Sequence, residues 1–336
     1  MFTPLIYDFE KSTEVYKITK KFLYDNNYIP ELENLYLAYR GIGNVIPETT
    51  ENFWSGHFFP YIDSFEELEI SFNLCSMGFY KQAIVSLRSG LELGLLSVYW
   101  NLNDDGHKVI KNWLKAQEDT PRLSQIWQYL IKNKNIQLFQ KRFDLKKRLL
   151  DLGYLHNYVH TKGWKHSNSI GLLKSNFQTF ERKGFEIWFN SIKEIIPVLC
   201  ILHLLKYPIG IIKYDYSSKF GIDVPSFGRL NECYIYRLEK VIEKDTLKFL
   251  QFIALNDNET KNILEWINSL PDITDEESEH QIIEMDKMEI ASMGFEKWLE
   301  IYEKIYNPNN EKFLKRKKLL EKWAKEKGYG KPLGRG

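Results

Sequence analysis

Between Phe79 and Trp100 only Lys81, Arg88 and Glu92 are charged, and apolar residues recur on nearly every face of the helix that this spacing predicts. A helix that is hydrophobic all round is normally buried on most sides. Other helices must therefore surround this one, and the rest of the chain supplies them.

Apolar residues recur every three or four positions from Glu10 to Asn26 and from Pro30 to Arg40, the pattern of amphipathic helices. Asp63-Ser64 reads as the cap of a helix beginning near Phe65, and Gly78 divides that helix from the apolar one. A short helix around Trp113 follows, then one from Pro121 to Lys132, and one or two between Gln137 and His160. Phe177–Tyr207 reads as helix, as do Leu247–Leu255, Thr260–Leu270, Glu276–Tyr306 (one or two) and Glu311–Lys327. Pro, Gly, Ser and Asp cluster between Pro208 and Gly228, the best candidate boundary. Short alternating stretches, Ile209–Tyr216 and Tyr234–Leu238, have the period of strands, and the second reads nearly as well as helix. The expected fold is all-α with at most a minor β element, in three segments: 1–62, a helical bundle over 63–208, and a C-terminal helical region over 209–336.

Composition removes several classes of function. Across 336 residues, 43% hydrophobic and 27% charged content fits a core-forming chain and excludes global disorder. A balance of 46 Lys+Arg against 45 Asp+Glu leaves no field for a uniformly basic nucleic-acid coat. Cys75, Cys200 and Cys233 are far apart and odd in number, so neither a disulfide framework nor a Cys-rich zinc site is expected. Met1-Phe2-Thr3-Pro4 has no basic region leading into an apolar stretch, so no secretory signal is read and a cytoplasmic location is expected. Ile195–Leu205 lacks charge, but Pro197, His203, Lys206 and Pro208 interrupt the run of about 20 apolar residues a membrane span needs. It reads as a core helix.

Two constellations carry candidate chemistry. Arg88 and Glu92 lie one helical turn apart on the same face. A charge removed from water costs several kcal/mol unless paired, so Arg88 must meet Glu92, another anion or a water-filled cleft. An internal ion pair is one reading; a phosphate clamp, using the planar fork of arginine, is the other. The second constellation is Leu155-His156-Asn157-Tyr158-Val159-His160-Thr161-Lys162-Gly163, in which His156 and His160 project from one helical face. Proton transfer near neutral pH suits a histidine there. Metal binding would require a third ligand from His166, Glu92 or Asp151, and the spacing demands none, so no metal or cofactor is expected. Asn157 and Lys162 join Arg88, Glu92 and His156 as candidate binding residues. No GxxxxGK[ST], GxGxxG or GxSxG motif occurs. Trp54, Trp113, Trp127 and Trp164 have the chemistry to stack on bases, although packing is the commoner use of each.

Gly78-Phe79-Tyr80-Lys81-Gln82-Ala83 with Leu87-Arg88-Ser89-Gly90-Leu91-Glu92, and later Tyr154–Thr161, resemble the motifs of the HEPN superfamily of nucleotide-binding helical domains. The resemblance covers about Phe65 to Tyr207. It implies a four- or five-helix bundle, frequently a homodimer, with several members in prokaryotic defence and toxin systems. In active members an Arg and a His on one helix form a metal-independent ribonuclease site; the His would be His160 here. The family pattern places the Arg four to six residues before the His, and no Arg occupies 153–157. Arg88, from another helix, would then have to supply the phosphate clamp. The readings that follow are a nucleotide- or RNA-binding regulatory module, and a ribonuclease toxin using His160 as acid/base with Arg88.

The near-zero charge hides a segregation. Asp272–Glu289 carries a net −7 and Glu311–Gly336 a net +7. The basic amphipathic helix around Lys312–Lys327 can contact RNA or an anionic partner, or fold back on the acidic Asp272–Glu289 segment as a clamp.

Overall fold

The computed structural model describes residues 8–46, 58–103, 108–168, 171, 173, 178–214, 216–222, 228–305 and 310–329. It is an all-α fold, with no strand among the described residues. The chain forms two compact units, one of Met1–Lys213 with Ser226–Ile263, the other of Tyr214–Pro225 with Leu264–Gly336. These units are drawn differently from the segments 1–62, 63–208 and 209–336. The first two segments share a single hydrophobic core with residues beyond 226.

In the first unit, α1 (Phe9–Asp25) and α2 (Ile29–Ile42) precede the hairpin of α3 (Phe59–Ser76) and α4 (Tyr80–Asn103). The hairpin turns at Gly78, whose φ of +85° favours a residue without a Cβ. There follow α5 (Lys108–Leu114), α6 (Leu123–Leu130), α7 (Lys134–Phe143), α8 (Leu145–Asp151) and α9 (Leu155–Val159). The long α10 (Arg182–Lys206), α12 (Glu232–Val241), α13 (Lys244–Asn256) and the start of α14 (Asn258–Ser269) complete it. A one-turn helix, α11 (Ser217–Phe220), lies between α10 and α12 in the chain and belongs to the second unit.

Helices α4 and α10 are the centre. Helix α4 packs on α3, α6, α9 and α10, while α10 also meets α2, α7, α8 and α13. Tyr80, Ile84 and Leu87 of α4 and Phe185, Trp188, Ile195 and Leu199 of α10 are fully buried. By length and hydropathy α10 could cross a membrane, yet 72% of its apolar window is buried inside the fold. It is a core helix. A Cβ on Gly94 of α4 would lie 2.7 Å from Leu199, so glycine sets how closely the two helices approach.

Several polar groups inside this core are satisfied in relays, whereas Trp100 Nε1, Thr19 Oγ1 and Thr246 Oγ1 are buried without a hydrogen-bond partner among the described residues. Trp188 Nε1 donates to Ser71 Oγ at 2.7 Å, and Ser71 donates to the Ala83 carbonyl at 2.7 Å, joining α10, α3 and α4. Ser64 Oγ donates to the Gly90 carbonyl at 2.6 Å, leaving Tyr39 OH to donate to Ser64 at 2.8 Å. His203, fully buried, donates from Nδ1 to the Leu199 carbonyl at 2.8 Å and faces Ser97 Oγ with Nε2 at 3.3 Å.

Three expectations are corrected. Helix α3 starts at Phe59, because Pro60 suits a first helical turn, so Asp63 and Ser64 are interior rather than capping. The stretch Ile209–Tyr216 begins as a 3₁₀ turn, Pro208–Ile211, and Tyr234–Leu238 lies inside α12, whose start Asn231 caps. The region 137–160 breaks into α7, α8, a 3₁₀ turn and α9. Asp144 adopts a left-handed conformation (φ 45°) and caps α8 through Lys147 N–H. Of the cysteines, Cys75 and Cys200 are buried and Cys233 is exposed; all three are free.

In the second unit, α15 (Asp275–Met293), α16 (Phe295–Ile305) and α17 (Glu311–Lys327) enclose a small core of Ile290, Phe295, Trp298, Phe313, Leu320 and Ala324. Thr274 and Glu277 form a capping box at the acidic start of α15. The segment around α11 joins this unit, since Ser218 O accepts from Ile273 N at 2.9 Å and Phe220 O accepts from Gln281 Nε2 at 3.0 Å. Asp286 of the acidic helix and Arg316 of the basic helix form an ion pair at 3.2 Å, 0% and 6% exposed, and Trp298 Nε1 donates to Asp286 at 3.1 Å. Lys317 reaches Glu303 at 2.7 Å.

Two outcomes follow. Burial pushes the His203 imidazole down to about 4 from its ordinary 6.5. It is neutral in the fold, while the unfolded chain takes up a proton below pH 6.5, so stability falls as pH drops from 6.5 towards 4, by roughly 3 kcal/mol. Chemical denaturation across that range will show the fall, and His203→Gln will flatten it. In the second unit, Arg316→Met alone strands a buried carboxylate and costs about 3–5 kcal/mol, whereas Asp286→Leu with Arg316→Met restores most of the loss. Thermal unfolding of both variants reads the difference.

Candidate functional site

Seven and eleven residues separate Lys81 from Arg88 and Glu92, about two and three helical turns. The three charges of α4 therefore share one stripe. Helix α9 packs on α4, with Leu155 and Tyr158 turned inward and His156, Val159 and His160 outward.

The chain reverses after His160. Thr161 has φ +47° and Gly163 φ +82°, and the Lys162 N–H returns to the Asn157 carbonyl at 2.9 Å. Lys81, buried in the first turn of α4, donates from Nζ to Thr161 Oγ1 at 2.7 Å. His166 Nδ1 donates to the Lys162 carbonyl at 2.5 Å and sets its ring edge-on to Tyr158, centroids 4.7 Å apart. Gln82 Nε2 donates to Asn168 at 3.0 Å. These bonds hold the turn after α9 against the start of α4.

Held this way, His156 and His160 lie with ring centroids 4.1 Å apart on the exposed side. His156 is pushed below its ordinary value, first by partial desolvation, then by the charges of His160, Arg88 and Lys162. Arg88 forms its ion pair with Glu92, the two being 22% and 51% exposed, and burial lowers the guanidinium. The pair therefore lies at the edge of the bundle and not deep in the core. The structure thus brings Arg88, Glu92, His156 and Lys162 into one electrostatic neighbourhood with His160. Asn157 contributes its backbone carbonyl to the turn.

Among the described residues, no group of three His, Cys, Asp or Glu is placed to hold a metal ion. Trp164, one residue after Gly163, is 67% exposed, whereas Trp113 and Trp127 pack against the core. Trp54 lies outside the described residues. Sequence reasoning missed the Lys81–Thr161 clamp; its only signal was a lysine in line with Arg88 and Glu92 on an otherwise apolar helix. Compared with protein-family models, curated proteins and solved structures, the chain matches none.

The histidine coupling has a direct readout. In an NMR titration His156 will have its midpoint below 6.5, and both His160→Ala and Arg88→Gln will raise it, each by removing a positive neighbour. An unchanged midpoint in both variants would separate the two histidines electrostatically.

Proposed function

We propose that the chain is an RNA- or nucleotide-binding regulatory module whose contact surface is the outward edge of α9 and the turn that follows. The observation that carries this reading is the exposed His156–His160 pair beside the positive charges of Arg88 and Lys162. Clustered cations supply the sequence-independent part of affinity for phosphate backbones. Trp164 adds an exposed aromatic face, and stacking of unpaired bases on such faces is worth about 1–3 kcal/mol each. In the second unit, Lys312, Lys315, Lys318 and Lys322 remain exposed on α17 and offer a further surface to RNA or an anionic protein partner. The same reading includes a homodimer and a role in a bacterial defence system, as the HEPN resemblance implies, and a cytoplasmic location, as the N-terminal sequence suggests.

A second reading, a metal-independent ribonuclease toxin, draws on the histidine pair itself. Two adjacent imidazoles, one of them biased to neutrality, have the makings of an acid and a base for attack by a ribose 2′-hydroxyl. Arg88 would then stabilise the phosphorane charge. Its engagement by Glu92 leaves that role unfilled in the free state, which weighs against cutting.

Incubation of the purified chain with labelled single-stranded RNA and with tRNA in EDTA, beside His160→Ala, distinguishes the two. Binding without cleavage, weakened several-fold by Lys162→Ala and by Trp164→Ala, is expected in fluorescence anisotropy. EDTA-resistant cleavage that disappears in His160→Ala would replace the first reading with the second. Affinity unaffected by either surface variant would remove the first reading.

A further inference from the structure

A cavity of about 360 Å³ opens in the first unit between α8, α10 and the α12–α13 junction. That is within the roughly 300–1,000 Å³ of small-molecule sites. It shares no residue with the His156–His160 edge. Its apolar wall is Pro197, Val198, Ile201 and Ile242, and its remaining lining is mostly charged.

The charges are unequally committed. Lys193 forms an ion pair with Glu31 and sits 5.3 Å from the Phe189 ring centroid, so its ammonium is already answered. Arg148, half-buried on α8, has no carboxylate within ion-pair distance among the described residues. Asp151, Glu194 and Glu243 stand exposed around the opening. Pro197 lies inside α10 and has no N–H to give the Lys193 carbonyl, and both residues line the cavity.

The ligand must answer all three features. A phosphate or nucleotide would meet three carboxylates with one uncommitted guanidinium, a net repulsion. A simple amine leaves Arg148 unanswered, and a simple carboxylic acid leaves the carbonyl and carboxylates unanswered. An apolar body is required by the wall of Val198, Ile201 and Ile242. We infer that this cavity binds a free α-amino acid with an apolar side chain, its carboxylate on Arg148 and its ammonium among the acidic rim and the Lys193 carbonyl. Arginine suits the first role because its fork accepts a carboxylate bidentately.

Isothermal titration of the full chain with L-leucine, 3-methylbutylamine and 4-methylpentanoate tests this assignment. Saturable 1:1 binding of leucine is expected, with each analogue at least tenfold weaker. Arg148→Gln should weaken leucine at least tenfold and leave the amine within twofold; Glu194→Gln should weaken leucine and spare 4-methylpentanoate. Circular dichroism confirms that both variants fold. No heat with leucine, methionine or phenylalanine at millimolar concentration would overturn the inference. So would an amine that binds as tightly as leucine, or leucine binding unchanged by Arg148→Gln.

Discussion

Everything in the first unit depends on burying α4 and α10 against one another and inside a ring of other helices. Two long apolar helices can share a centre only if they approach closely and if their neighbours bring no unanswered polar group. Gly94 meets the first condition by admitting Leu199. The second is met in part by hydroxyl relays, Trp188 to Ser71 to Ala83 and Tyr39 to Ser64 to Gly90, while Trp100 Nε1 on α4 stays without a partner among the described residues. A buried donor or acceptor without a partner costs about 1–3 kcal/mol, a large fraction of a domain's net stability. The serines of α3 are thus as much part of the core as its leucines. They read as polar in the sequence, which is why hydrophobic pattern alone places the helices but not their registry.

How far the sequence can be read follows from the range of each interaction. Helix identities rest on contacts three or four residues apart, so α1, α2, α4, α10 and α17 lie close to where their periodicity puts them. Where a terminus is decided by a single residue with special backbone preferences, the pattern errs: Pro60 moves the start of α3, and Asp144 divides α7 from α8. The same holds for the site. Arg88–Glu92 and His156–His160 are pairs four residues apart and were legible as pairs. Lys81 to Thr161 spans 80 positions, and only folding reveals it. Trp164 was read as packing because tryptophan usually packs; its exposure is a tertiary fact.

In the second unit, charge segregation has become a specific interaction. Among the described basic residues of α17, Arg316 alone is buried, against Asp286, and it sits on the same helical face as Phe313, Leu320 and Ala324. Burial raises the Asp286 carboxyl, while Arg316 and the Trp298 N–H pull it back. Such a pair contributes little net stability compared with well-packed apolar residues, but it penalises any packing in which either partner is left alone. The acidic and basic helices are therefore registered by one buried contact. Lys312, Lys315, Lys318 and Lys322 stay in solvent on the opposite side of α17.

The polar stripe of α4 connects the fold to the proposed function. A helix coated in apolar residues has no use for charge except where its coat is open, and Arg88 and Glu92 mark that opening, in line with Lys81, which is buried against the turn after α9. Against it lies α9, too short at five residues to hold its own conformation. Leu155 and Tyr158 anchor it, Lys81 ties down its exit, and the histidines stand at its outer edge. An isolated turn of helix would not keep two imidazoles at a fixed spacing. The buried bundle imposes that spacing, so the energy that orders the site is the energy of the core behind it. Glu92 then sets the character of the edge: by taking up the Arg88 fork it removes one strong phosphate ligand from the free state. On the proposed function, a nucleic acid would have to compete with a neighbouring carboxylate before Arg88 could bind it, so such a site would discriminate between weak and close phosphate contacts.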